Sequence, residues 1–335
     1  MNDLADRESE ATNQDRNLEV TENLAESSHP KKLGNYRIIE EVGSGGLGRV
    51  FKAIDERTGK TVAVKILHQK FTRNKKFLGI FHRELLIMSG LHHKHIVSYL
   101  DSFFQPPECY IITEFVEGWS GHGFLRKVKR MPPLVGLSIL IDMLQGIDHL
   151  HLHDTIHSDL SAANYMIDKD GRIYITDFGL SCQLDVEDYK NYMIGTPGYY
   201  SPEHISENPI VPQTDIYCAG LLLYEMLTGE KAVVASNDRH EVMANMRRID
   251  FSRVQCSEYK MQTMIRKLLK SCLQFQASKR FQNVETVMYR CYEILKRYEI
   301  RYSRHAIKKF LIDAKLIEGP LNGHNQNIYT GFVNQ

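Results

Sequence analysis

The chain has 335 residues, of which 42% are hydrophobic and 25% charged, enough to bury one two-lobed domain with tails or two small domains. Lys and Arg number 42 against 41 Asp and Glu, so no bulk charge calls for nucleic acid or an anionic membrane as partner. The six cysteines (Cys109, Cys182, Cys218, Cys256, Cys272 and Cys291) show no CxxC and no framework spacing, which excludes a disulfide scaffold and reads as reduced thiols in a cytosolic protein.

Residues 1–33 are rich in Asp, Glu, Asn, Ser and Thr and poor in large apolar side chains, and read as a disordered acidic lead without a signal-peptide core. No apolar run reaches the length of a membrane span, so the expected location is the cytoplasm, or delivery elsewhere as a secreted effector. The stretch 36–67 reads as three strands: YRIIEEV, then GRVFKAID after the loop GSGGLG, then KTVAVKIL after a turn at Thr58-Gly59. In the third strand Val62, Val64 and Ile66 face one way, and Ala63 and Lys65 the other. Lys65 thus shares its face with a small residue, which leaves room for a flat ligand beside an ammonium group.

A helix is predicted over 75–89, with Phe77, Ile80, Phe81, Leu85 and Met88 on its apolar face. Glu84 falls on or beside that face, where an unpaired charge costs roughly 3–5 kcal/mol, and Lys65 is its natural partner. From about 120 onward the pattern is mainly helical: a long amphipathic segment at 136–154, an apolar helix at 212–229, then 260–273 and 283–298. The class is α+β, a β-rich N-terminal lobe (34–114) and an α-rich C-terminal lobe (120–298) joined by a hinge at 114–120. In the tail, 299–335, one short amphipathic helix over 303–318 spaces Ile307, Phe310, Leu311 and Ala314 as a stripe that ends at Gly319-Pro320. It is expected to dock on its own lobe rather than on a membrane.

A bare GxGxxG could serve a dinucleotide, but that fingerprint needs a helix after the glycines, and here a strand follows. The Walker A pattern is absent as well. The glycines fit a hairpin tip whose backbone N–H groups approach phosphate without Cβ obstruction. Six motifs stand in fixed order: GSGGLG at 43–48, VAVK at 62–65, Glu84, HSDLSAAN at 157–164, DFG at 177–179 and SPE at 201–203. Together they hold a phosphate-covering loop, a lysine with its carboxylate, a candidate base and two candidate metal ligands, the inventory of phosphoryl transfer from ATP.

From about Tyr36 to Tyr298 the chain resembles a eukaryotic-type (Hanks-type) serine/threonine protein kinase, and GSGGLGRVFKA is most similar to the bacterial members. The resemblance implies the bilobal kinase fold, ATP and Mg²⁺ (or Mn²⁺) as cofactors, and protein substrates bearing Ser or Thr, self-phosphorylation among them. It implies that Gly43, Ser44, Gly45, Gly46 and Gly48 cover the phosphates, with Val50 and Ala63 above the adenine and Met166 beneath it. Lys65, oriented by Glu84, would hold the α- and β-phosphates. Thr113 would be the gatekeeper, and the Glu114 carbonyl and Val116 N–H would bond the adenine edge. Asp159 would take or orient the substrate hydroxyl proton, Asn164 and Asp177 would bind the metal, and Thr196 would contact Asp159. Glu203 would pair with Arg280, Asp215 would tie the catalytic loop to a large helix, and His157 would pack beneath DFG.

Two positions depart from the family pattern. Ser158 stands where an arginine usually receives a phosphorylated activation loop, so phosphorylation between Leu180 and Gly195 (at Ser181, Tyr189 or Tyr192) is not expected to be the switch. Ser161 stands where a lysine usually faces the transferring phosphate, which implies a slow enzyme, since one such donor is worth about 2–4 kcal/mol. The alternative is a nucleotide-binding pseudokinase scaffold; a small-molecule phosphotransferase would lack the SPE segment and the Glu203–Arg280 pair. The histidines His92, His93, His95, His149 and His153 include an HxxxH, yet no glutamate or third ligand accompanies it, and they are not read as a metal site.

Overall fold

A computed structural model of the chain describes residues 30–183, 195–206, 208–298 and 304–318. Most of the acidic lead and the end of the tail therefore lie outside the described residues. The N-terminal lobe is an antiparallel sheet ordered β1-β2-β3-β4-β6-β5, built from β1 Lys32–Leu33, β2 Tyr36–Ser44, β3 Gly48–Asp55, β4 Thr61–Leu67, β5 Tyr99–Gln105 and β6 Glu108–Glu114. The three strands expected from 36–67 are β2, β3 and β4. Val62 and Val64 of β4 enter a small cluster with Tyr36, Phe51, Tyr110 and Ile112. Ala63 and Lys65 turn to the other face, as strand alternation demands.

Helix α1, Lys75–Ser89, starts where the Asn74 side chain accepts from the Lys76 and Phe77 N–H groups. It buries Ile80, Phe81, Ile87 and Met88, and with them Glu84. Phe81, Ile87 and Met88 join the large core that fills the C-terminal lobe, so α1 is held to the body of the protein as well as to the sheet.

After β7 Gly118–Ser120 come α2 Gly121–Val128 and α3 Pro133–His151, then the short strands β8 Thr155–Ile156, β9 Tyr165–Asp168, β10 Ile173–Ile175 and β11 Cys182–Gln183. The helices α4 Pro202–Ile205, α5 Pro212–Thr228, α6 Arg239–Met246, α7 Tyr259–Cys272, α8 Val284–Arg297 and α9 Arg304–Asp313 follow. The expected amphipathic helix at 136–154 is α3, and it differs from expectation. Every residue from Pro133 to Leu144 is buried, because α3 is enclosed by α5, α8 and α9. Two of its polar side chains find partners inside: Ser138 Oγ donates to the Leu134 carbonyl at 2.8 Å, and Asp142 Oδ1 lies 3.3 Å from His95 Nε2. By length and hydropathy α3 could cross a membrane, contrary to the reading that no run was long enough. With 83% of its apolar stretch buried inside the protein, it is a core helix.

Helix α9 packs on α3 through Ile307 and Leu311, with Phe310 edge-on to Phe124 at 6.0 Å. It stops at Asp313, short of Gly319-Pro320. Lys315 adopts φ 56°, its N–H bonds the Ile312 carbonyl, and the Leu316 N–H bonds the Leu311 carbonyl. That pair of bonds is a Schellman ending with lysine in the position glycine usually holds.

Candidate active site

Three elements bring one cation and two carboxylates together. Lys65 Nζ, from β4, lies 2.6 Å from Glu84 Oε1 of α1 and 2.8 Å from Asp177 Oδ1 of the DFG turn. Glu84 is 1% exposed, and its charge depends on this contact. Burial pushes its pKa up to about 7, with the Asp177 charge adding and Lys65 opposing. Burial would lower Lys65, but the charges of Asp177 and Glu84 hold it above the usual lysine range. Burial would raise Asp177, yet Lys65 and the Gly179 N–H keep it below the usual carboxylate range. Asp177 adopts φ 62° while Phe178 points into the core against His157, ring centroids 5.3 Å apart.

A second cluster forms around Asp159. Its Oδ1 accepts from the Thr196 N–H at 2.8 Å, and its Oδ2 accepts from Thr196 Oγ1 at 3.1 Å and from Asn164 Nδ2 at 2.8 Å. Asn164 Nδ2 also donates to the Asp159 carbonyl, so the five-residue loop closes on itself. Burial pushes the Asp159 pKa up, against the two bonds from Thr196. The two clusters are joined by the backbone, where the Thr176 N–H bonds the Asn164 carbonyl one residue before Asp177.

The loop is anchored from below by Asp215 of α5, which is fully buried. Its carboxylate accepts from the His157 and Ser158 N–H groups at 3.0 and 2.7 Å and meets His151 Nε2 at 2.8 Å. Burial would raise Asp215, but these donors hold it below the usual range. Ser158 has φ 60° and its Oγ donates to the Leu180 carbonyl at 2.6 Å. Ser181 Oγ reaches the His157 carbonyl at 3.3 Å, and β8 pairs with β11 through Ile156–Cys182 and Thr155–Gln183. These contacts staple the start of the segment after DFG to the catalytic loop. Tyr189 and Tyr192 lie outside the described residues.

Over the cleft, β2 and β3 pair Gly43 with Val50 and Ser44 with Arg49, and the Gly45 N–H closes the hairpin on the Gly48 carbonyl at 2.8 Å. Gly48 alone among these glycines is sterically required: a Cβ there would run into the Ile66 carbonyl oxygen, whereas one at Gly43 or Gly46 would meet open space. Leu47 of this loop lies beside Gly179, so the hairpin tip stands over DFG. Val50 is opposite Lys65, and Ala63 opposite Thr113. The Thr113 hydroxyl donates to the Glu114 carbonyl at 3.2 Å, and the Glu114 carboxylate is tied to Ser98 N and Oγ. Val116 and Met166 are half-buried, with Met166 on β9 opposite Ser120.

Ser161 is 0% exposed and its hydroxyl makes no hydrogen bond among the described residues. Behind the site, Arg280 and Glu203 form a buried two-point ion pair at 2.7 and 2.9 Å. Sequence reasoning missed three supports: His68, whose Nε2 bonds the Gly45 carbonyl at 3.1 Å, His151 on Asp215, and Glu225 on the Tyr199 hydroxyl. None carries a motif; each is polar side chain meeting backbone or side chain across a tertiary contact. His93 stacks on His149, whose ring lies 4.4 Å from that of His153, but among the described residues no group of three or more His, Cys, Asp or Glu side chains gathers as metal ligands.

The protein kinase domain model matches residues 36–292. The chain is 32% identical over 198 residues to the serine/threonine-protein kinase PrkC of Bacillus subtilis, covering 58% of the chain and 31% of that protein. It is 32% identical over 203 residues to the serine/threonine-protein kinase pak-1 of Caenorhabditis elegans, covering 60% and 35%. With the serine/threonine-protein kinase PAK 1 of Mus musculus it shares 28% identity over 280 residues, covering 83% and 50%. The match thus spans a third to a half of these relatives.

Proposed function

The chain belongs to the protein kinase family, among its Hanks-type serine/threonine members, and on that premise we propose that it transfers the γ-phosphoryl group of ATP to Ser or Thr hydroxyls of proteins. The observation that carries the proposal is the joining of two clusters: Lys65–Glu84–Asp177 and Asp159–Asn164–Thr196 lie side by side, each already hydrogen-bonded. Phosphoryl transfer asks the protein mainly for positioning and charge, which such a prearranged constellation supplies. Lys65 is the cation for the nucleotide phosphates, and Glu84 keeps it aimed. Asp159, its pKa raised, takes or orients the acceptor proton. Thr196 holds the Asp159 carboxylate in one orientation, and Gly43 to Gly48 close over the phosphates.

A divalent ion fits the residues present. Asn164 spends its amide hydrogens on Asp159, which turns Oδ1 into the atom a cation would meet; Lys65 and Gly179 occupy Oδ1 of Asp177, which leaves Oδ2 for the ion. Two hard oxygen ligands suit Mg²⁺ or Mn²⁺ that arrives with phosphate oxygens, and the bound ion would neutralise charge on the transferring group. The kinase domain is taken as 34–298. Six free cysteines favour a reducing, cytoplasmic setting.

The test is labelling with ATP and Mg²⁺ on the full chain beside Asp159→Ala. Label on Ser or Thr in the parent alone is expected, at a low rate because Ser161 supplies no cation. No label in either, with ATP still raising the melting temperature, would refute the kinase reading and leave a nucleotide-binding scaffold.

A further inference from the structure

Beside the catalytic loop lies a groove of about 530 Å³ between α2 and the end of α5, lined by His122, Arg126, Lys129, Arg130, Glu225 and Glu230. Its position is fixed at two points. The His122 N–H bonds the Ala162 carbonyl at 2.6 Å, three residues after Asp159. On the other side Lys231 Nζ lies 3.6 Å from the ring centroid of Tyr199, and its stem packs on Gly198, two residues after Thr196. A chain laid in this groove therefore runs past the acceptor position.

The groove's net charge is positive. Its two carboxylates are already used, Glu225 by the Tyr199 hydroxyl and Lys231, Glu230 by Arg253. Arg126, Lys127 and Lys129 are exposed, and among the described residues no carboxylate pairs with any of them. The chain itself carries the complementary segment. Residues 1–29 hold Asp3, Asp6, Glu8, Glu10, Asp15, Glu19, Glu22 and Glu26 against only Arg7 and Arg16, interleaved with Ser9, Thr12, Thr21, Ser27 and Ser28. Fully extended, those 29 residues reach about 100 Å, several times the radius of gyration of about 19 Å expected for a domain of this size. The lead is long enough to reach the groove from Pro30.

We propose that this basic groove is a docking site for the chain's own acidic lead and that the lead is the kinase's first substrate. The inference rests on the kinase reading above. A lead hydroxyl oxygen would form the new bond to the γ-phosphorus while the bond to the bridging oxygen breaks. ADP leaves, and the hydroxyl proton passes to Asp159. The groove selects acidic neighbours of the acceptor by charge, so docking weakens as salt screens it.

Two measurements on the full chain separate docking from catalysis. Zero-length carbodiimide cross-linking without nucleotide should join Asp or Glu of residues 1–29 to Lys127, Lys129 or Lys231, and these links should fall at least tenfold at 0.5 M salt (about one-third the Debye length of low-salt buffer). With ATP and Mg²⁺, phosphate should map to Ser9, Thr12, Thr21, Ser27 or Ser28. In Arg126→Glu/Lys129→Glu, with an unchanged melting temperature, lead labelling relative to a neutral Ser/Thr peptide should drop at least tenfold. Cross-links without any phosphate transfer would sink the kinase reading and keep the docking. Phosphate transfer to the neutral peptide, with the lead unlinked or linked evenly to lysines elsewhere, would overturn the docking and keep the kinase. Stronger labelling of an unrelated acidic peptide than of the lead, unaffected by the charge reversal, would also overturn it.

Discussion

Removing one partner of the Glu203–Arg280 pair should unfold the C-terminal lobe more readily than any surface change. Arg280 and Glu203 side chains are 0% and 5% exposed. The guanidinium makes five hydrogen bonds: two to Glu203, and one each to the Gln274, Phe275 and Gln213 carbonyls, with Tyr217 beneath it at 4.7 Å. Glu203→Gln leaves that cation buried without its counter-charge, a loss on the order of 3–5 kcal/mol. At about 2 °C per kcal/mol for a domain of this size, the melting temperature should fall by roughly 6–10 °C. Arg280→Met should cost as much, because it also strands three carbonyls.

The double variant Glu203→Gln/Arg280→Met should lose less than the two singles added together, since it removes both buried charges, with a coupling on the order of 2–3 kcal/mol. Thermal and urea unfolding of all four proteins measure the cycle. The same contact should bear on activity, because Glu203 lies in the first turn of α4, shortly after the segment that sets Thr196 on Asp159. Below the melting range, Glu203→Gln should therefore show a lower turnover rather than a weaker ATP affinity. A single variant within about 1 kcal/mol of the parent, or losses that simply add, would refute the account.

Other outcomes follow from the same geometry. Gly48→Ala should destabilise by about 1–3 kcal/mol through its clash with Ile66, whereas Gly46→Ala should leave the melting temperature within experimental error and weaken only nucleotide turnover. Asp142, pushed up to about 7 by burial from 3.8, binds more protons folded than unfolded between those values, so its contribution to stability falls as pH rises from about 4 to 7. The neighbouring His95, lowered to about 4 by burial, works oppositely below pH 6.5. Asp142→Asn should accordingly gain melting temperature over the parent as pH goes from 5 to 8; a constant difference would contradict this. Ser161→Lys should leave the rate equal or higher, and its abolition with ATP binding intact would show that the loop has been misread. Tyr189→Phe/Tyr192→Phe should keep full activity, measured as acceptor labelling at equal protein.

The parts of the fold that were legible are those whose signal is local. Strands β2 to β4 show alternation and turn residues, and α1 shows an apolar stripe, so element type and placement could both be read. The α3 misreading has a physical source. Ser138, Asp142 and His149 gave the segment an apparent polar face, but their partners (the Leu134 carbonyl, His95 and the stacked His93) come from contacts that no periodicity encodes. Tail helix α9 was placed, yet its end was misjudged, because Lys315 takes a conformation for which glycine is the usual marker. In the site, motif order grouped Lys65, Glu84, Asp159, Asn164 and Asp177. His68, His151 and Glu225 are supporting groups that meet the site only after folding.

Ser158 shows how a departure from family pattern can be structural rather than a loss. An arginine there would present a cation to a phosphate on the activation segment, and ordering that segment would wait for the phosphate. Serine at φ 60° instead points Oγ at the Leu180 carbonyl, an uncharged bond worth about 1 kcal/mol that needs no modification. Ser181 Oγ and the two β8–β11 pairs add to it, and Ser181 is itself fully buried, so its hydroxyl is spent on the His157 carbonyl rather than offered to a kinase. Together with Thr196 on Asp159, these contacts fix both ends of the segment to the catalytic loop without a phosphate. On the proposed kinase reading, the rate is therefore expected to be limited by the missing cation at Ser161 rather than by a switch between Leu180 and Gly195.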